Sequence, residues 1–319
     1  KKLIAIIRVF FSVLLLAACA ESPTEPPEPK KPEWVYEGQW GSEGFGNGEF
    51  EYPWGVAVAP NANVYVSDSE NSRVQYFTPT GSFLGKWGSW GSGNGQFFGT
   101  IGVAVAPNGN VYVGDNGVDR VQYFTSSGSY LGKWGSRGSG NGQFKIIGDI
   151  EVAHGGNVYV ADCHNNRIQY FTATGSYLGQ WGSEGTGNAQ FDDPSGVGVA
   201  SEANIYVADS ANHRIQYFTW TGSFLGKWGS KGSGDGQFKR PHDVAVAPNG
   251  NVFVADYSNY RIQYFTASGS FLGKWGTKGT GNGQFDAPQG VAVSATGAEV
   301  YVSDLWNHRV QYFKLTNPP

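Results

Sequence analysis

Between residues 34 and 313 the chain alternates short apolar runs with glycine-rich polar stretches. Inside the runs the apolar positions recur every second residue. "VYVGD" (111–115), "RVQYF" (120–124) and "SYLGKW" (129–134) are rich in β-branched and aromatic residues and are bounded by "PNGN" and "TSSG". Period-two alternation between such turn formers predicts strands joined by tight hairpins. A fourth run, "GVAVA" (102–106), carries only small side chains and suits a strand that lines a crowded axis.

The whole pattern recurs. A glycine-rich heptad stands at 44–50, 91–97, 138–144, 185–191, 232–238 and 279–285, spelled "GSGNGQF" in its commonest form. After each heptad come an aspartate (Asp68, Asp115, Asp162, Asp209, Asp256, Asp304) and, five residues on, an arginine (Arg73, Arg120, Arg167, Arg214, Arg261, Arg309). A repeat near 47 residues holds four short strands. Six of them predict an all-β, six-bladed β-propeller with four antiparallel strands per blade. The last copy stops after "RVQYF" (309–313) without a fourth strand, whereas "WVYEGQWG" (34–41) is a fourth strand without its first three. The N-terminal strand is therefore expected to complete the last blade and leave no open edge.

The heptad tempts a phosphate-loop reading. A nucleotide loop follows a strand and opens a helix, once per site. This one joins strand to strand and occurs six times, so it marks the period of the repeat. Its motif with "PSGVGV" (194–199) and "IYVADSANHRIQYF" (205–218) resembles the NHL repeat, and the resemblance covers residues 34–313. It implies a propeller. It leaves function open, because NHL propellers include peptide- and protein-binding scaffolds, sensor domains of bacterial receptor kinases, RNA-binding domains and a zinc-dependent amidating lyase.

Composition narrows the classes. Aromatics make up 15% and charged residues only 15%, which argues against disorder. A formal charge of −4 without a basic run argues against nucleic acid as a partner. Residues 1–18 read as a signal peptide, with Lys1, Lys2 and Arg8 before an apolar run too short to span a bilayer. Leu16-Ala17-Ala18-Cys19 resembles a bacterial lipobox, which implies cleavage before Cys19 and its lipidation; an ordinary signal peptide with an incidental Cys19 is the alternative. The absence of methionine suggests a chain trimmed at its start. Residues 19–33 continue as a proline-rich tether of roughly 40 Å at about 3.1 Å per residue. Residues 34–319 form the propeller. The expected location is the cell envelope, exported and lipid-anchored at the outer membrane or cell surface, with the membrane touched only through the lipid.

Six identical Asp/Arg pairs read as scaffold, as do Asn71, Asn165, Asn212, Asn259 and Asn307, the recurring tryptophans, His213 and His308. Function is expected where copies differ, on the face carrying the d–a and b–c loops. There the strand-a entrance reads Trp54, Ile101, Gly148, Ser195, His242 and Gln289. Closure brings Leu305 and Trp306 beside Tyr52 and Trp54, and the preceding blade adds His242, Tyr257 and Tyr260. Arg240, Asp243 and Gln289 supply polar company. This aromatic sector is the candidate ligand site for a protein, peptide or carbohydrate; neutral drift on a solvent face is the bland alternative. An enzyme of the lyase or hydrolase kind is the second reading. The resemblance to the amidating lyase implies several histidines converging on zinc near the axis, whereas the mouth offers only His242, with Asp149, Asp243 and His164 as extras, so neither metal nor cofactor nor catalytic residue is expected. Cys163, beside His164, reads as a partly exposed thiol without a special role.

Overall fold

In a computed structural model the described residues are 33–200 and 204–316. The signal peptide, Cys19 and the tether up to residue 32 lie outside them. The described part forms six four-stranded antiparallel sheets. Blade 1 runs through strands Pro53–Val58, Val64–Asp68, Arg73–Phe77 and Phe83–Trp87, from the inner strand to the outer one. Blades 2 to 5 repeat this order, with inner strands Thr100–Val105, Ile147–Val152, Pro194–Val199 and Pro241–Val246. Blade 6 begins with Pro288–Val293, and its outermost strand is Glu33–Trp40, paired with Arg309–Thr316 from Glu33 opposite Thr316 to Trp40 opposite Val310. The closing strand stands where the truncated copies place it.

The core lies between blades. The second strand of every blade is buried from its first β-branched residue to the aspartate, as in "VYVSD" of Val64–Asp68 and "IYVAD" of blade 4. One such layer joins Tyr65 and Val74 of blade 1 to Val103, Val113 and Phe124 of blade 2. Tyr65 also donates its hydroxyl to the Ser126 carbonyl of the next blade at 2.9 Å, and Tyr112, Tyr159, Tyr206 and Tyr301 repeat that tie. Blade 5 has Phe253 at this place. Its neighbour is the blade completed by the N-terminal strand, and Trp34 of that strand meets Phe253 edge-on at 5.2 Å. The outer tryptophans pack across blades as well: Trp87 lies on Gly128, where a Cβ would come within 2.6 Å of the indole.

The Asp/Arg pairs fix the heptad loops. In blade 4 the Arg214 Nε lies 2.6 Å from Asp209 Oδ2. Its two other nitrogens donate to the carbonyls of Thr186, Gly187 and Gln190. Asn212 donates to Gly185 O at 2.9 Å, and Gln216 accepts from Ala189 N while donating to Gln190 O. The clamp thus ties its own members together and satisfies the carbonyls of the loop "GTGNAQF". The other five arginines pair with their aspartates in the same way, at 2.6 to 3.0 Å. The glycine-rich heptad is a strut, and it holds the start of each inner strand in place.

Candidate functional site: the mouth of the central channel

Three local features aim side chains at the mouth. Each inner strand slips register against its neighbour; in blade 1 Pro53 stands opposite Asp68 but Val56 opposite Val66. The extra residue is a bulge, which turns the 54- and 55-type positions toward the axis. The residue just before the inner strand has a left-handed backbone, and in five blades it is not glycine: Tyr52, Ile146, Asp193, Arg240 and Ala287, at φ between 55° and 69°. Ile146 is β-branched, so its φ of 59° is a strained conformation. A latch from the preceding blade offsets that cost. Asp119 accepts from Ile146 N at 2.9 Å, Asn166 from Asp193 N at 3.1 Å, and His213 Nδ1 from Arg240 N at 3.0 Å. His308 Nδ1 does the same for Tyr52 N at 3.4 Å. Both histidines are structural.

The mouth opens on a cavity of about 170 Å³ lined by Trp54, Ile146, Gly148, Asp149, Cys163, Asp193, Ser195, His242, Asp243 and Gln289, among others. A narrower section of about 100 Å³ continues below it between the valines of the inner strands, with Glu151 in its wall. Asp149 and Asp243 line both. They occupy the position that is Gly55, Gly102, Gly196 and Gly290 in the other blades, and Glu151 stands where the others have alanine or glycine.

These carboxyls also brace the ring. Asp149 accepts from Val197 N at 3.1 Å and Asp243 from Val291 N at 2.8 Å, each reaching the next blade. Burial is the largest influence on all three acids. It raises Asp149 well above the carboxylate range, with repulsion from Asp243 adding to it. It pushes Asp243 up to about 6 against the pull of the Val291 and Val244 N–H groups. Glu151 reaches about 8 through burial and the nearby Asp243. Asp149 and Asp243 line the same cavity close enough to repel one another, which favours the protonated form of a carboxyl there. His242, by contrast, is lowered to about 4 by burial and by Arg240, and stays neutral.

The expected aromatic sector divides into two groups. His242 lies against Tyr257 with ring centroids 4.4 Å apart and against Trp54 at 6.3 Å, and its Nδ1 is 2.7 Å from Gln289 Nε2. Trp54, His242, Asp243 and Gln289 all line the cavity. Tyr52 and Trp306 form a separate edge-on pair at the rim, 5.0 Å apart, with Trp306 51% exposed. Arg240 is exposed and pairs with Asp193 at 3.2 Å. Leu305 is buried and offers a ligand no surface. Cys163 is also buried, where partial exposure was expected: its short b–c loop turns it inward, and its thiol donates to Pro194 O at 2.9 Å. Burial and the surrounding aspartates Asp193, Asp162 and Asp149 hold that thiol well above its usual value, so it is not a poised nucleophile. His164 points to solvent. Among the described residues no three or more His, Cys, Asp or Glu side chains are disposed to hold a metal. Sequence reasoning passed over Glu151, whose signal was an acid at a position that is otherwise alanine or glycine.

The NHL repeat family matches four segments of the chain, residues 50–77, 191–218, 238–265 and 285–313. The chain is also 48% identical over 44 residues to the E3 ubiquitin-protein ligase TRIM71 of Rattus norvegicus and of Mus musculus, a stretch that is 14% of this chain and 5% of theirs. Among solved structures it is similar to a protein of unknown function from Bacteroides thetaiotaomicron (TM-score 0.68, 17% identity, 90% of this chain and 77% of that one). It is similar too to a gluconolactonase from Xanthomonas campestris (TM-score 0.62, 16% identity, 84% and 87%) and to a streptogramin B lyase (TM-score 0.60, 13% identity, 89% and 97%). At these identities the structural likeness bears on the fold alone.

Proposed function

Starting from a chain that is a six-bladed β-propeller of NHL repeats, we propose that it is a binding module. In this reading the module holds a protein, peptide or carbohydrate on its variable loop face and is anchored outside the cytoplasm by a lipid on Cys19. The observation that carries the reading is the uneven mouth: copied blades surround one cavity whose wall is aromatic on one side and acidic at its base. Concave sites with a few convergent polar groups are where ligands are held, and an exposed Trp306 beside Tyr52 adds contact area at the rim. The acidic mouth speaks against nucleic acid. Screening the purified propeller on glycan and peptide arrays, beside the double variant Trp54→Ala/Trp306→Ala, tests the reading. A ligand that binds the parent and is lost from the variant supports it, and equal binding by both removes the site. For the anchor, Cys19→Ser is expected to move the protein from the membrane fraction to the soluble one.

A second reading, a lyase or hydrolase acting at the mouth, is favoured by the Asp149–Asp243 pair. Two carboxyls with separated proton affinities can act as acid and base. The gluconolactonase and the streptogramin B lyase place such activities on this fold without assigning one to this chain. Turnover of a lactone panel that is lost in Asp243→Asn would favour it over simple binding.

A further inference from the structure

The mouth carries acceptors without a matching cation. No lysine or arginine lines the cavity, and Arg240 at its edge is engaged by Asp193. Neutral His242 adds no charge. Two of the donors lining the cavity are turned to backbone carbonyls, Ser195 Oγ to His242 O at 2.8 Å and Cys163 Sγ to Pro194 O at 2.9 Å. Gln289 lines the same cavity and is 2% exposed. One end of its amide meets His242 Nδ1 at 2.7 Å, and its Oε1 has no partner among the described residues. A buried carbonyl oxygen left unpaired in a polar cavity is costly and points to a donor that fills it when bound.

We propose that the mouth cavity binds a primary ammonium group, held by the Asp149–Asp243 carboxyl pair and Gln289 Oε1, with the Trp54 ring on its flank. This rests on the binding reading above and names the chemistry of its ligand. An ammonium has three N–H donors, and the site offers three acceptor groups. An indole beside a cation adds attraction through its π face. The two carboxyls line a cavity that no lysine or arginine lines, and a monocation supplies the positive charge missing there. Among the described residues no three His, Cys, Asp or Glu side chains are disposed to hold a divalent metal. A cavity of about 170 Å³ admits the tip of a chain and not a folded surface, so the amine arrives on a flexible arm, a lysine side chain or a polypeptide N-terminus. The backbone bracing by Asp149 and Asp243 is compatible with this role, since each carboxyl retains lone pairs toward the cavity.

The test titrates the full chain, followed by ligand-observed NMR, with n-butylammonium, Nα-acetyl-lysine methylamide, triglycine amide and Nα,Nε-diacetyl-lysine methylamide. The expected result is binding of n-butylammonium and of at least one of the two peptide amines, with the diacetylated control at least tenfold weaker. Whichever peptide amine binds tells a lysine side chain from an N-terminus. Asp149→Asn and Gln289→Leu should each weaken n-butylammonium at least tenfold, whereas Phe45→Ala, on the exposed heptad loop before blade 1, should leave it unchanged. The comparison of free with acetylated amine needs no variant, so it decides the matter even where a substitution impairs folding. Equal binding of free and blocked amines, no binding of n-butylammonium, or binding indifferent to a folded Asp149→Asn overturns the proposal, as does micromolar Ca²⁺ or Mg²⁺ binding lost in that variant. A partner that needs Trp54 and Trp306 but ignores acetylation of its amines would leave the binding face standing and remove the ammonium site.

Discussion

Asp209, in the clamp of blade 4, and Asp243, on the axis of blade 5, are both withdrawn from bulk water, and their surroundings are opposite. Asp209 meets Arg214 at 2.6 Å, Asn212 at 3.0 Å and the Asp192 N–H at 2.8 Å. Burial still lifts its carboxyl above the usual range, but these partners pull it back. Asp243 has two backbone N–H groups and, facing it, another carboxyl. The first arrangement satisfies its charge within the blade and is copied six times. The second leaves charge over and occurs once. A satisfied buried charge is scaffold, whereas an unsatisfied one is maintained at a cost that a ligand can offset.

The largest effect should come from breaking the satisfied side. Arg214→Ala strips Asp209 of its cation and takes the arginine donors from the carbonyls of Thr186 and Gly187, while Gln190 O keeps only Gln216. Removing one member of a buried pair costs about 3–5 kcal/mol. Denaturant unfolding of the variant measures it, and a loss below about 1 kcal/mol would mean that the clamp is no strut.

On the unsatisfied side the sign reverses. Glu151 has its carboxyl raised from 4.5 to about 8 in the folded chain. The parent therefore loses stability as pH rises from 4.5 through 8, because unfolding releases the carboxyl to ionise in water. Glu151→Gln carries no such penalty. It should be more stable than the parent at pH 9 by on the order of 2 kcal/mol after solvent screening, with the gap closing by about pH 4. Unfolding curves at pH 4 and pH 9 check this, and a variant less stable at pH 9 would place Glu151 among the satisfied charges.

Much of this contrast was legible in the chain. The blade count, the closing strand and the scaffold role of the Asp/Arg pairs followed from repetition, since whatever occurs six times has one structural job. Phe253 was legible in principle too, as the one break in the tyrosine series at the blade before the seam. The mouth was read less well. Leu305 and Trp306 are neighbours in sequence, but a short 3₁₀ turn, Leu305–Asn307, buries one and exposes the other. The left-handed position before each inner strand was not legible, because Ile146 and Tyr52 carry no sign of positive φ. The acid at the axis was visible only as a departure from glycine, and its pairing across the channel depends on closure of the ring.

A smaller effect tests the seam. Tyr206→Phe removes a hydroxyl bonded to Ala267 O at 3.0 Å and should cost about 1 kcal/mol. Phe253→Tyr restores the repeat's tyrosine beneath Trp34, where the blade-to-blade carbonyl is replaced by the N-terminal strand, and should bring no gain. Thermal unfolding of both variants decides it; a stabilised Phe253→Tyr would mean that the seam is an ordinary blade contact.

The smallest effect on stability belongs to the rim. Trp306 is 51% exposed, touches Tyr52 edge-on and belongs to no core layer. Trp306→Ala should shift stability by no more than about 0.5 kcal/mol, while lowering affinity for a ligand that covers the face. The pairing of those two readouts matters more than either alone. A residue that stabilises the ring loses both together, as Arg214 should, because the loop face unfolds with it. A residue retained for contact loses only binding. If Trp306→Ala melts well below the parent, the rim pair is one more inter-blade tie and the contrast between copied and uncopied positions fails at its most exposed point.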